Sequence, residues 1–153
     1  MKILFKKLHE DAVIPQKVYQ QDYCYDVTAV SEEEIAPNVW KYGLGFALQI
    51  LRGWETSAVI NQPPQNYSID LRPRSSVWKT GMVLSNCEGT IDETYTGEIS
   101  AVFYHVHPLM PRYRVGDRIG QIKLGITQPL EFVQVDELGI TERGANGYGS
   151  TGK

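Results

Sequence analysis

The sequence predicts an all-β domain of the sandwich, jelly-roll or barrel type. Helical periodicity is hard to find, short runs rich in Val, Ile, Tyr and Phe recur, and Gly, Pro, Asn and Asp punctuate them. With 153 residues, one domain buries about 68–70% of the surface that its unfolded chain exposes, so a single core needs no extra staples. The apolar and aliphatic set makes up 42% and charged residues 22% of the chain, the profile of an ordered globular protein.

Taken in order, the expected strands are 2–7, 25–29, 39–51 with a kink at Gly43-Leu44-Gly45, 57–60, 67–71, 81–85, 98–107, 118–124 and 130–135. Each is a β-branched or aromatic run that ends at turn residues. In 99–106 neither alternating face is clearly polar, which predicts cover on both sides, the second from a neighbouring chain. Asn61-Gln62-Pro63-Pro64-Gln65-Asn66 reads as a surface loop and Ser31-Glu32-Glu33-Glu34 as a solvated turn.

Fifteen basic residues against eighteen acidic ones give a net charge of −3, which argues against direct nucleic-acid binding, since that footprint is a net basic face. The longest nearly apolar stretch, 43–51, is far short of the roughly 20 residues of a spanning helix, so no membrane association is expected. The N-terminal residues lack the apolar run of about 7 to 15 residues that a secretory signal needs, which predicts a cytoplasmic protein. Cys24 and Cys87 are then expected as free, buried thiols.

Several segments carry groups suited to chemistry. Residues 143–153 hold four glycines, two cations, the hydroxyls of Ser150 and Thr151 and an aromatic. Glycines let backbone N–H groups approach an anion and Arg adds a bidentate contact, so the segment suits closure over a phosphorylated ligand; taken alone it reads equally as a loose terminus. The stretch 89–98 places Asp92 and Tyr95 in a turn-rich hairpin, where a carboxylate can take a proton from water and a ring can press on a flat group; in isolation Asp92 is an ordinary turn residue. Arg72-Pro73-Arg74-Ser75-Ser76 groups cations and hydroxyls at a strand end. His105 and His107 share a strand face, but no further ligand lies close in sequence to complete a zinc set. Gly116-Asp117 reads as a hairpin turn.

Together and in this order, these segments resemble the homotrimeric deoxyuridine triphosphatases, the dUTPase or dUTP pyrophosphatase family. Tyr25-Asp26-Val27 is similar to the first of five motifs and Pro73-Arg74-Ser75-Ser76 to the second. Asn86 through Gly97, with Gly89-x-Ile91-Asp92-x-x-Tyr95, is similar to the third. Gly116-Asp117-Arg118-Ile119-Gly120-Gln121 resembles the fourth, and Arg143-Gly144 with Gly147-Tyr148-Gly149-Ser150-Thr151-Gly152 the fifth.

The resemblance implies a jelly-roll-like β-clip core over 1–140 and a flexible C-terminal arm over 141–153, in a homotrimer whose sites are each built from three chains. It implies hydrolysis of dUTP to dUMP and pyrophosphate, which keeps uracil out of DNA and supplies dUMP for thymidylate synthesis. By the same resemblance Asn86, Gly89 and Ile91 belong to the hairpin that receives uracil through its backbone, and Tyr95 packs on the deoxyribose and excludes a ribose. Asp92 activates the attacking water, and Arg74, Ser75 and Gln121 contact the phosphates. Arg143, Gly147, Gly149, Ser150 and Thr151 form the arm's clasp, with Tyr148 stacked on uracil in place of the usual Phe. Mg²⁺ is carried by the phosphates and touched by the protein through water, with Asp26 in that outer shell or orienting Arg74.

Ser76, Cys24 and Ala145-Asn146 depart from the family pattern, and 52–66 reads as an insertion of roughly ten residues. Deoxycytidine triphosphate deaminase shares the fold and the Arg-Ser-Ser run, but its essential Glu falls near Val102, and Val cannot move protons. A third reading is a nucleotide-sensing module of the same fold that grips a regulatory protein partner, for which the 52–66 loop leaves room.

Overall fold

In the computed structural model, residues 2–52 and 65–146 are described. Ten strands and one short 3-10 turn follow in order: β1 (Lys2–Lys7), β2 (Tyr25–Thr28), β3 (Ser31–Ala36), β4 (Val39–Gly43), β5 (Phe46–Leu51), β6 (Asn66–Pro73), the turn Ser75–Lys79, β7 (Met82–Leu84), β8 (Gly89–Asp92), β9 (Ser100–His105) and β10 (Arg118–Thr127). They form two four-stranded antiparallel sheets, β2-β10-β6-β8 and β3-β4-β9-β7, and a two-stranded ribbon of β1 and β5. The all-β expectation holds.

The core lies between the sheets. Val27, Leu71 and Ile119 of the first sheet meet Tyr42, Phe103 and Ile99 from in and beside the second, all essentially without solvent exposure. Period-two alternation produces this, as in β9, where Ala101 and Phe103 point inward and Tyr104 is exposed. Tyr42, Phe103 and Tyr113 pack edge to face with centroids 5.4 to 6.3 Å apart, the arrangement that ring quadrupoles favour. The buried Tyr42 hydroxyl donates to the Tyr113 carbonyl at 2.9 Å.

Four expectations change. Residues 39–51 form two strands, because Gly45 takes a φ of +69°, open to glycine at little cost, and turns the chain from the second sheet into the ribbon. Residues 31–34 belong to strand β3 rather than a solvated turn, because Glu32 points at a cationic pair. It accepts from Arg112 at 3.0 Å and Arg114 at 3.2 Å, and the Arg112 guanidinium stacks 3.4 Å above the Trp40 ring. Residues 130–135 form no strand: Leu130, Phe132 and Val133 have no partner strand within the described residues and are exposed. Both thiols are free, but Cys87 is exposed and Cys24 half-buried rather than buried, because each sits at a chain reversal or sheet margin. The expected strand 57–60 lies outside the described residues.

The Arg112 hydrogen bond holds the Glu32 carboxyl below its usual value of 4.5, against the opposing effect of burial. A carboxyl whose pKa is lowered by folding stabilises the fold fully above 4.5, and that stabilisation is lost as pH falls through the lowered value. Urea denaturation is therefore expected to give a Glu32→Gln variant that is less stable than the parent at pH 7, with the gap closing as the pH is taken well below 4.5.

Candidate active site

The first cavity opens where the two sheets part. It measures about 340 Å³ and is walled by Leu84 of β7, Gly89, Ile91 and Asp92 of β8, and Ala101 and Val102 of β9, with Asn86 and Tyr95 on the connecting turns. β8 is an edge strand of the first sheet and β7 an edge strand of the second, so the four residues between them carry the chain across the gap. Cys87 makes that reversal with a φ of +42°, a left-handed conformation that costs a non-glycine residue about 1–2 kcal/mol. The cost sits beside Asn86, at the cavity wall.

Asp92 closes β8 opposite Ser68 in register and is exposed. A tight turn follows, with the Tyr95 amide donating to the Asp92 carbonyl at 3.0 Å, so acid and ring are set on one rigid bend. The expected hairpin over 89–98 is not one, because β8 pairs with β6 and no strand returns along it; arginines pin both ends of this β8 segment instead. Arg72 donates to Glu88 at 2.5 Å, and Arg52 grips Glu93 through two bonds at 2.7 and 2.6 Å. The Arg52 contact lowers the Glu93 pKa, and the Glu88 contact raises that of Arg72. Behind this segment, Asp70 is buried against the Lys123 ammonium and accepts the Ser68 hydroxyl at 2.7 Å; burial opposes its charge, yet these partners leave its pKa lowered.

A second cleft, of about 360 Å³, is lined by Tyr19, Asp22, Tyr23, Cys24, Asp26, Arg74 and Gln121. Asp26 organises it. Its Oδ1 accepts Arg74 Nε at 3.2 Å and Gln121 Nε2 at 2.9 Å, and its Oδ2 accepts Arg118 at 2.8 Å. The Asp26 side chain is only 9% exposed, whereas Arg74 is partly buried and Arg118 reaches it from the solvent side. Asp26 and Gln121 are cross-strand neighbours of β2 and β10, which places carboxylate and amide side by side. Arg74 enters from the end of β6, and Ser75 opens the 3-10 turn that follows.

Of the residues singled out from sequence, Asn86, Gly89, Ile91, Asp92 and Tyr95 line the first cavity, and Arg74, Gln121 and Asp26 meet in the second. Arg143 is in neither; its Nε donates to the Asn146 carbonyl within its own turn. Gly147, Tyr148, Gly149, Ser150 and Thr151 lie outside the described residues. Arg118 and the Arg52–Glu93 pair were missed as site elements, and Arg72, noted in the cationic run 72–76, was not read as the partner of Glu88. Arg118 stood in the quoted fourth motif, but the pairings span up to 92 positions of sequence and leave no local signal. No cluster of three or more His, Cys, Asp or Glu side chains suited to a metal ion occurs among the described residues, and His105 is engaged with the Met110 carbonyl at 3.0 Å.

Fold and site define a class: a two-sheet β domain with a ring-sized cavity bearing a carboxylate, and a separate cationic cleft suited to phosphate. A dUTPase family model matches residues 10–152. The deoxyuridine 5'-triphosphate nucleotidohydrolase of Nautilia profundicola is 33% identical over 155 residues, covering all of both chains, and that of Wolinella succinogenes is 33% identical over 157 residues, covering all of this chain and 95% of its own. Among solved structures, a dUTPase of Staphylococcus bacteriophage 80alpha with dUpNHpp superposes with a TM-score of 0.77 at 22% identity, covering 99% of each chain. A dUTPase of phage phi11 of S. aureus, described with a structural Mg(II) ion, gives 0.68 at 19% identity over 90% of this chain and 99% of its own. The chain belongs to the dUTPase family.

If Asp26 holds the cationic cleft in order, Asp26→Asn is expected to weaken pyrophosphate binding by about tenfold in calorimetry, since a neutral amide no longer fixes Arg74 and Arg118.

Proposed function

We propose that the protein hydrolyses dUTP to dUMP and pyrophosphate. The observation that carries this reading is the convergence of Asn86, Gly89, Ile91, Asp92 and Tyr95 on one cavity of about 340 Å³. Family membership supplies the substrate, and the cavity supplies the parts in order. Uracil enters between β8 and β9, where backbone groups of the β8 segment read its edge. A site built on donors and acceptors rejects cytosine because the exchanged pattern leaves buried polar groups unpaired, a discrimination of about 10⁴. The Tyr95 ring lies against the deoxyribose. Asp92, at the exposed end of β8, accepts a proton from a water held in line with the α-phosphorus, and pyrophosphate leaves.

The phosphates belong to the cationic cleft of Arg74 and Gln121, with Ser75 next to Arg74 in the chain at the start of the 3-10 turn. Asp92 and Tyr95 line one cavity while Arg74 and Gln121 line another. This separation supports a homotrimer in which one copy brings the β8 segment and another the cleft. Apolar side chains support association too: Leu130, Phe132 and Leu138 are 76, 91 and 87% exposed, and an apolar groove of about 380 Å³ runs along Ile3, Phe5, Ile14, Leu48 and Ile69. The arm, with Arg143, Gly147, Tyr148, Gly149, Ser150 and Thr151, closes the site from a third copy.

The donor set fits a Mg²⁺ ion carried by the substrate. Asp26 Oδ1 is occupied by two donors and Oδ2 by one, so a single acceptor position is left on Oδ2 for a water of the ion's shell. When bound, Mg²⁺ neutralises charge on the triphosphate. The protein's own part is to fix Arg74, Arg118 and Gln121 around that group.

No described helix is long and apolar enough to cross a membrane. We place the activity in the cytoplasm, a reading supported by two free cysteines. Val102 stands in the cavity wall where the related dCTP deaminases carry their Glu, which favours hydrolysis over deamination.

Pyrophosphate release from a panel of deoxynucleoside triphosphates, with and without Mg²⁺, tests the reading. dUTP is expected to be turned over in strong preference to dCTP and dTTP, and Asp92→Asn to lower kcat by about 10²- to 10⁴-fold while dUTP binding persists. Ammonia release from dCTP would overturn it, and near-parental turnover by Asp92→Asn would remove Asp92 from its role.

A further inference from the structure

Tyr95 is fixed by the turn that carries it. Its hydroxyl donates to the Glu98 carbonyl at 2.9 Å, so the ring folds back over Gly97. A Cβ at Gly97 would stand 2.5 Å from the hydroxyl oxygen, 2.7 Å from Cζ and 3.1 Å from Cε2. Only glycine leaves room for the ring in this position, and the hydrogen bond keeps the ring from yielding.

Glu98 is itself anchored. Its Oε1 accepts the Gly45 amide at 2.9 Å, at the left-handed turn between β4 and β5. The next residue is locked on both backbone sides, with the Ile99 amide on the Phe46 carbonyl and the Leu44 amide on the Ile99 carbonyl, each at 3.0 Å. A continuous path thus runs from the Gly45 turn in the body of the domain, through Glu98, to the tip of the Tyr95 ring at the cavity.

From this geometry we infer that Gly97 and Glu98 are positioning residues that set the sugar selectivity of the site, by clamping the Tyr95 ring so that it cannot yield to a ribose 2′-hydroxyl. The inference rests on the reading of the cavity as a dUTP site with Tyr95 on the sugar. Exclusion by shape requires a wall that holds its place. A tyrosine turns about two side-chain torsions and would otherwise swing aside. The clamp converts an exposed ring, 48% accessible, into such a wall.

The test measures kcat/KM for dUTP and for UTP in parallel on the full chain, its Tyr95→Phe, Gly97→Ala, Glu98→Ala and Glu98→Gln variants, with thermal melts to establish folding. The dUTP-to-UTP ratio is expected to fall about fivefold or more in Tyr95→Phe, Gly97→Ala and Glu98→Ala, the worth of roughly one hydrogen bond. The change is expected mainly as a gain in kcat/KM for UTP. Glu98→Gln, whose amide oxygen still accepts the Gly45 N–H, is expected to restore the parental ratio. Should Glu98→Ala fail to fold, Tyr95→Phe and Gly97→Ala decide. A parental ratio in folded Gly97→Ala and Tyr95→Phe overturns the clamp alone. Parent protein that does not turn over dUTP overturns the underlying reading of the site, and the clamp with it.

Discussion

A single carboxylate, Asp26, holds two guanidinium groups and an amide together on the face of the first sheet, and on the proposed reading the phosphate end of the site depends on it. Without that negative charge Arg74 and Arg118 would face each other at a sheet margin with no counter-charge between them. With it they stand in a fixed array, and Gln121 is oriented by the same oxygen as Arg74. The ordering precedes any ligand, so the cost of gathering like charges is met by folding rather than by binding.

The ring end obeys a different constraint. Two sheets that cover a common core must separate somewhere, and here they part between β7 and β8, leaving a cavity walled by these two edge strands together with residues of the interior strands β6 and β9. Strand edges present unpaired backbone donors and acceptors, which is what a site needs to read a planar base. The arginine clasps on Glu88 and Glu93 and the clamp on Tyr95 all stiffen this one segment. On the proposed reading rigidity there serves selectivity, since a wall that moves excludes nothing.

Much of this was legible in the sequence, unevenly and for physical reasons. Strands such as β5, β6 and β10 were visible because large apolar residues stand at every second position within them, Phe46, Leu48 and Ile50, then Tyr67, Ile69 and Leu71, then Ile122, Leu124 and Ile126. β3 was not, because its inward residue is Glu32, whose partners Arg112 and Arg114 lie some 80 positions away. Residues 130–135 have strand chemistry but no strand in the described chain, since propensity cannot supply a pairing partner. Asn86, Gly89, Ile91, Asp92 and Tyr95 could be found because they are contiguous, whereas Arg118, Arg52 and Arg72 act through non-local ion pairs that only folding brings together.

The ring-binding β8 segment and the cationic cleft line different cavities, and the central claim is that copies of the chain join them. Mixing two inactive variants, Asp92→Asn and Arg74→Ala, after dissociation and reassembly tests it directly. A site shared between copies predicts that the mixture regains dUTP turnover, because some mixed assemblies pair an intact Asp92 from one copy with an intact Arg74 from another. A mixture as inactive as its two parents, with exchange of copies demonstrated, would contradict the account.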